Sequence, residues 1–422
     1  MVMKEELLHH IWKMKRFEST DLSLVDGRRI SLLSVGIHNH TSGPDFFNAS
    51  ILIDGIRWIG NVEIHINSSD WYKHKHQNDE AYDTVILHVV YCFDQAVFIK
   101  NESIPTLELK PYIELDFLDS YKKISRSRLF IPCSDQLKNV PSIVIYSQLD
   151  AVFMDRMEDK SLFLNERYAH HNKDLKQLLY EQVLRFFGLK NNELPFIELS
   201  SRIPYQIIKQ IPTDSWEAVL LGAAGLLEIK SDDLYLSRMK KEWFFYKCKY
   251  DLISMNATSW KCFGSRPAAY PPFRIAQCAR LLSSFELTEI LHNLTNWDLK
   301  SSVSLSSFWQ THYQLHKKSK PHTTQFTTKM LHLFLINVVI PVQWWFSNYS
   351  NYTISKSALI EFSENIPFES NHIVSAWQNH SFKIKSAKES QGILQQFHSF
   401  CEKKRCLTCK IGSNLMNSEL NK

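Results

Sequence analysis

Two stretches decide how this chain reads: Gly43-Pro44-Asp45-Phe46 and Asn61-Val62-Glu63-Ile64-His65. Between them Asp54-Gly55 joins a run from Asn48 to Ile53 to another from Arg57 to Ile66. Asp-Gly between two strand-like runs predicts a hairpin. Strand side chains repeat every second residue, so Glu63 and His65 share one face while Val62, Ile64 and Ile66 share the other. A strand that only had to be buried has no need of an acid and a histidine opposite three apolar residues. Further out, Lys4 to Phe17 carries Leu7, Leu8, Ile11 and Trp12 at helical spacing, with Glu5 and Glu6 in the first turn, where the helix dipole favours acids. Asp26-Gly27 marks a turn, and Arg29 to Gly36 alternates as a strand does. Thr84 to Phe93 is a nearly continuous apolar run, as a buried central strand requires, and Ile104 to Leu109 reads as one strand more.

Beyond about residue 115 the character changes. Asp174 to Phe187 places Leu175, Leu178, Leu179, Val183 and Phe186 on one stripe and stops at Gly188, a helix with a glycine stop. Glu217 to Leu227, Arg274 to Phe285 and His322 to Val339 also predict helices, and no fixed-period repeat is present. The expected class is α+β. A domain over residues 1–117 holds a mixed sheet with helices, and a mainly α-helical domain over 133–422 ends in a cysteine-rich tail. The charged segment from Leu118 to Pro132 separates them.

Composition narrows the function. A 422-residue chain with 44% hydrophobic and 13% aromatic residues can bury a large core, and its length predicts two or three domains. Only 11 glycines argue against glycine-cradled nucleotide folds. A net charge of +5 permits a local nucleic-acid patch without requiring one. Met1 to Arg16 lacks the apolar core of a signal peptide. The apolar run Leu331 to Phe346 is broken by His332, Asn337, Pro341 and Gln343, which predicts a buried helix and no membrane span. A soluble, cytoplasmic chain is expected, with its eight cysteines as thiols or metal ligands.

Asp45 and Glu63, on neighbouring elements, supply the carboxylates that Mg²⁺ or Mn²⁺ takes together with water and substrate phosphate. Glu5 or Glu6 of the first helix can approach the same point. The alternative is a turn at Pro44-Asp45 and a solvated face at Glu63 and His65. His74, His76, Asp79, Asp83 and His88 form a second set, suited to zinc or manganese or to shaping the substrate edge of the same site. Arg266 and Arg274 flank a proline-rich loop that leads into a helix, a setting for phosphate contacts, though the prolines also serve simply to end one helix and start the next. Cys401, Cys406 and Cys409 fall within nine residues. They can converge on Zn²⁺ or an iron–sulfur cluster, with His398 or Cys133 as a fourth ligand, or stand as reduced thiols closing a terminal helix pair.

The first domain resembles the PD-(D/E)XK nuclease superfamily, with an acid on the first helix, Pro-Asp at one strand and Glu-x-Lys on the next. Pro44-Asp45 and Glu63-Ile64-His65 match, except that His65 stands where the superfamily has lysine; Lys73 or Lys75 is a candidate for the missing cation. The resemblance implies Asp45 and Glu63 as metal ligands, His65 orienting water, Glu6 assisting, and nucleic acid as substrate. A non-catalytic nucleic-acid or protein interaction module on the same fold is the alternative. Over nearly its full length the chain also resembles a bacterial family catalogued as a domain of unknown function (2851). That likeness rests on the two opening stretches, Asp83 to Val90, Arg266-Pro267, Arg274-Ile275-Ala276-Gln277 and the cysteine tail, and it carries no activity with it.

Overall fold

A computed structural model describes residues 3–262, 266–294, 297, 304–349, 354–380 and 382–418. The chain divides into two compact units: Met1–Gln148 together with Phe397–Lys422, and Leu149–Gln396. The expected boundary in 118–132 followed a change of composition. The division by contacts comes later in the chain, and the terminal segment returns to the first unit, which no composition shift announces.

In the first unit α1 (Glu5–Lys13) buries Leu7, Leu8, Ile11 and Trp12, as their spacing requires, and packs against the sheet at β4. The strands are β1 (Ile30–Ser34), β2 (Ile37–His38), β3 (Phe46–Ile53), β4 (Ile56–Asn67), β5 (Val85–Cys92), β6 (Phe98–Ile99), β7 (Glu102–Ser103) and β8 (Thr106–Glu108). The main sheet has the order β1-β3-β4-β5-β8, with β2 also on β3. Its first pairs are antiparallel, and β4–β5 and β5–β8 are parallel. The sheet is therefore mixed, and the chain is α+β.

Two local devices set up the sheet near Asp45. β3 carries a register shift between Phe46 and Ala49, where Asn48 has φ of 55°; such a bulge re-aims the strand that follows the Asp45 loop. Gly60 lets β4 approach β5, because a Cβ there would stand 2.4 Å from Ile86 Cγ2. The crossover from β4 to β5 holds the short helix α2 (Asp70–Lys73) and two 3₁₀ turns. There Trp71, Tyr82, Val85, Val97 and Ile104 make a small core of their own. α3 (Leu115–Ser125) follows, and the next helix, α4 (Ser142–His170), lies mostly within Leu149–Gln396.

The second unit is mainly helical, around a single large apolar core. Leu175–Gly188 is a helix capped by Asp174, whose side chain accepts from Gln177 N. Trp216–Ala223 and Pro271–Leu282 are shorter or shifted relative to expectation. The apolar stretch Thr328–Phe346 is long enough and apolar enough to cross a membrane, yet 67% of its 18-residue apolar window is buried inside the protein, as in a core helix. Ser265, which immediately precedes Arg266 and the proline-rich loop, lies outside the described residues.

Candidate metal centre

Asp45 sits at the end of a loop gathered by Asn39. The Asn39 side-chain amide donates to the carbonyls of Thr41, Ser42 and Pro44. Asp45 Oδ2 accepts from Ile64 N at 2.9 Å, and Asp45 N donates to Glu63 Oε2 at 3.1 Å. The two acids are thus tied to one another through the β3–β4 edge. His9 Nε2 of α1 lies 3.2 Å from Asp45 Oδ2.

Glu63 and His65 are 5% and 1% exposed, so they form no solvated strand face. Each is followed by a histidine from elsewhere in the chain. Glu63 is in register with His88 of β5; His65 Nδ1 lies 2.9 Å from His88 Nε2, and His65 Nε2 lies 3.0 Å from His74 Nδ1. Glu63 Oε1 lies 3.6 Å from His65 Nε2 and 3.3 Å from His76 Nε2. His76 is stacked on Tyr82, with ring centroids 3.8 Å apart, which holds the imidazole in place. Its buried Nε2 makes no hydrogen bond.

Among the described residues, His65, His74 and His76 are the group whose ligand atoms all lie within 4.8 Å of one another. A tetrahedral ion with metal–nitrogen bonds of about 2.0–2.1 Å keeps its ligand atoms about 3.3 Å apart. The distances of 3.0, 3.3 and 3.6 Å around His65 and Glu63 are of that size. The donor set of three imidazoles and a carboxylate suits zinc or manganese better than Mg²⁺, which prefers oxygen. His88 behind His65 is placed as metal-bound histidines require, orienting the ring through its other nitrogen.

Burial dominates the electrostatics. It pushes the Glu63 carboxyl up to about 9, with the charge of Asp45 adding to it. Burial, then the neighbouring imidazoles His88, His74 and His76, pulls His65 down to about 2. His88 falls to about 3, again through burial first, and burial lowers His76. His65, His76 and His88 are therefore neutral at pH 7, the state in which a histidine ligates. His9 behaves oppositely: burial lowers it, but the hydrogen bond and charge of Asp45 outweigh burial and leave its pKa above the ordinary value.

Asp45, Glu63, His65, His74 and His76 thus come together in the first unit. On α1 it is Glu5, with its pKa raised by burial, whose charge acts on this cluster, whereas Glu6 is exposed and lines a cavity. Glu5 and His9 are four residues apart and share a helix face, a spacing that could have singled out His9 from sequence. Lys73 pairs with Asp70 at 2.6 Å and is not aimed at the acids. Asp79 caps a 3₁₀ turn, and Asp83 pairs with Lys100. Arg266 and Arg274 belong to the second unit. Arg266 is exposed, and Arg274 donates to Gln277 Oε1 and Met330 Sδ, a role inside its own unit. Cys133, Cys401, Cys406 and Cys409 all lie in the first unit and are buried.

A cavity of about 690 Å³ opens beside this cluster, within the usual size of small-ligand sites. His9 is common to both, and the cavity is lined further by Lys13, His38, His40, Met14, Leu407 and Lys410.

The family model described as Protein of unknown function (DUF2851) matches residues 5–372. The chain matches no curated protein and no solved structure. The matched residues take in α1, both acids, all the histidines of the cluster and most of the helical unit, and the chain belongs to the DUF2851 family.

Proposed function

We propose that the protein is a metal-dependent hydrolase of phosphodiesters, a nuclease in the broad sense, with its ion on His65, His74, His76 and Glu63. The observation that carries this reading is the convergence of the His65, His74 and His76 ring nitrogens within 4.8 Å of one another, with the buried Glu63 carboxyl 3.6 Å from His65 and 3.3 Å from His76. A divalent ion bound there would lower the pKa of a water and neutralise charge on a phosphoryl group. The chain's own residues have separable tasks. His88 holds His65 in register. Asp45 holds His9 and keeps it readily protonated, so that His9 can donate a proton to, or hold, an oxygen of a ligand in the adjoining cavity. Lys13, His38 and His40 offer further donors to an anion.

The order of acid-bearing elements favours a PD-(D/E)XK-like arrangement, with His65 in place of lysine and the metal recruited by nitrogen. Nucleic acid is the substrate class that this reading predicts, with Mn²⁺ or Zn²⁺ preferred to Mg²⁺. The test is cleavage of single- and double-stranded DNA and RNA with each ion after chelator treatment. His74→Ala and Glu63→Ala are expected to lose activity by at least about 10²-fold. Full activity in either variant would sink the assignment. Salt-sensitive binding without turnover, unaffected by chelator, would instead identify an interaction module.

A further inference from the structure

We propose that Cys133, Cys401, Cys406 and Cys409 form a four-thiolate centre for a soft metal, and that this centre fastens the C-terminal segment into the first unit. The four side chains are 8%, 7%, 8% and 5% exposed, respectively, and none is in a disulfide. Cys133 is far from the others in sequence, yet all three tail thiols act electrostatically on it.

Independent contacts bring the two segments together. Phe130 stacks on Phe397 with centroids 4.5 Å apart. Lys404 Nζ donates to the carbonyls of Ser125 and Ser127 at 3.1 and 3.0 Å. The terminal helix Lys410–Ser418 packs on α3. The tail itself is shaped as a chelating turn. Lys404 has φ of 52°, Cys406-Leu-Thr-Cys409 runs directly into the helix, and a Cβ at Gly412 would stand 2.3 Å from the Cys406 carbonyl oxygen. Only glycine lets the helix close on the turn. A Cys-x₂-Cys turn with further thiols from elsewhere is a structural zinc arrangement.

Packing alone accounts for a buried thiol or two, since cysteine is a small apolar residue. Four buried thiols on two segments that pack together are better served by metal. Each S–H gives up its proton, four sulfur–metal bonds form, and on a divalent ion the four thiolate charges less two leave a charge that nearby cations must offset. Lys404 acts on Cys406 in that sense. The thiols stand wider than the histidine set, which is the group within 4.8 Å among the described residues. A zinc ion, with bonds of about 2.3 Å, would draw them in by side-chain rotation; an iron–sulfide cluster bridges a wider set. The tail cysteines lie beyond the family-matched residues 5–372, and Leu407, Thr408, Cys409 and Lys410 wall the cavity that His9 lines.

The experiment uses the full chain carrying His74→Ala and His76→Ala, purified without oxygen, so that the histidine centre contributes no signal. Elemental analysis and acid-labile sulfide are expected to show bound zinc, or iron with sulfide, that is lost in Cys133→Ser and in Cys406→Ser. Absence of both metals, or metal unchanged by Cys133→Ser, overturns the proposal. Because the serine variants can fail to fold, Co²⁺ is also loaded into the histidine-substituted chain with all its cysteines intact. Strong visible bands of tetrahedral sulfur coordination support the centre, and a spectrum of oxygen and nitrogen ligands alone overturns it.

Discussion

In the proposed metal centre, the Glu63 carboxyl is the residue on which metal and proton would compete. Its pKa is held up to about 9, so it is protonated at pH 7, and an ion arriving on His65, His74 and His76 must displace that proton. Metal affinity is expected to rise about tenfold per pH unit between pH 7 and 9, measured by competition with a chelator, and to be flat over that window in Glu63→Gln. The folding linkage has the opposite sense. The unfolded carboxyl titrates near 4.5 and the folded one near 9, so the native state binds the extra proton between them and loses stability as pH rises through that window. His65 and His88, lowered to about 2 and 3, contribute stability that increases with pH only up to the ordinary histidine pKa near 6.5. Above that, Glu63 is the member of this set that sets the slope. At this scale the alternation Glu63–His65 was legible, because a strand has period two. The partnership of His9 with Asp45 was not, because it joins a helix to a loop.

Among elements, β4 and the helices of the second unit make the contrast. The Asp-Gly turn and the alternation located β4, and Asp174 capped a helix, because caps and turns are local chemistry; at its other end Gly188 is the last helical residue and Leu189, not the glycine, takes the positive φ of 50°. The 29-residue helix Ser142–His170 had no clear sequence signal, since its apolar residues are spread around its circumference. Helix crossings depend on close approach that no periodicity reveals. Gly222 of Trp216–Ala223 lies against Trp243 of Leu234–Tyr250, where an added Cβ would stand 2.1 Å from the indole. Gly222→Ala is expected to destabilise the second unit by about 1–3 kcal/mol, as overpacking does. Urea unfolding followed by tryptophan fluorescence measures this, and an unchanged midpoint would mean that the indole moves away freely.

At the scale of the molecule, the terminal segment Phe397–Lys422 counts with Met1–Gln148. It buries Phe397, Leu407, Ile411, Leu415 and Met416 beside the three cysteines. Deleting residues 397–422 is expected to remove upwards of about 5 kcal/mol from the first unit, at roughly 1.5–3 kcal/mol for each large apolar side chain. Amide exchange reads the outcome: protection should fall in β4 and β5 and persist in Leu175–Gly188. Equal protection of β4 and β5 with and without the segment would show that the first unit stands without it.

What the sequence by itself determined is what short-range chemistry determines. The hairpin, the apolar face of α1, the central strand β5, the helical character of the second half and the residue types able to hold a metal all follow from periodicity, turn residues and side-chain donors. The tertiary structure alone decided which of those donors meet. It set β4 parallel to β5 so that Glu63 and His88 share a register, and folded the β4–β5 crossover back so that His74 and His76 reach His65 and Glu63. It also chose Glu5 over Glu6 as the helix acid acting on the cluster and returned the cysteine tail to the first unit. Those choices rest on packing between segments distant in the chain, where burial and strand pairing, rather than local preference, set the distances.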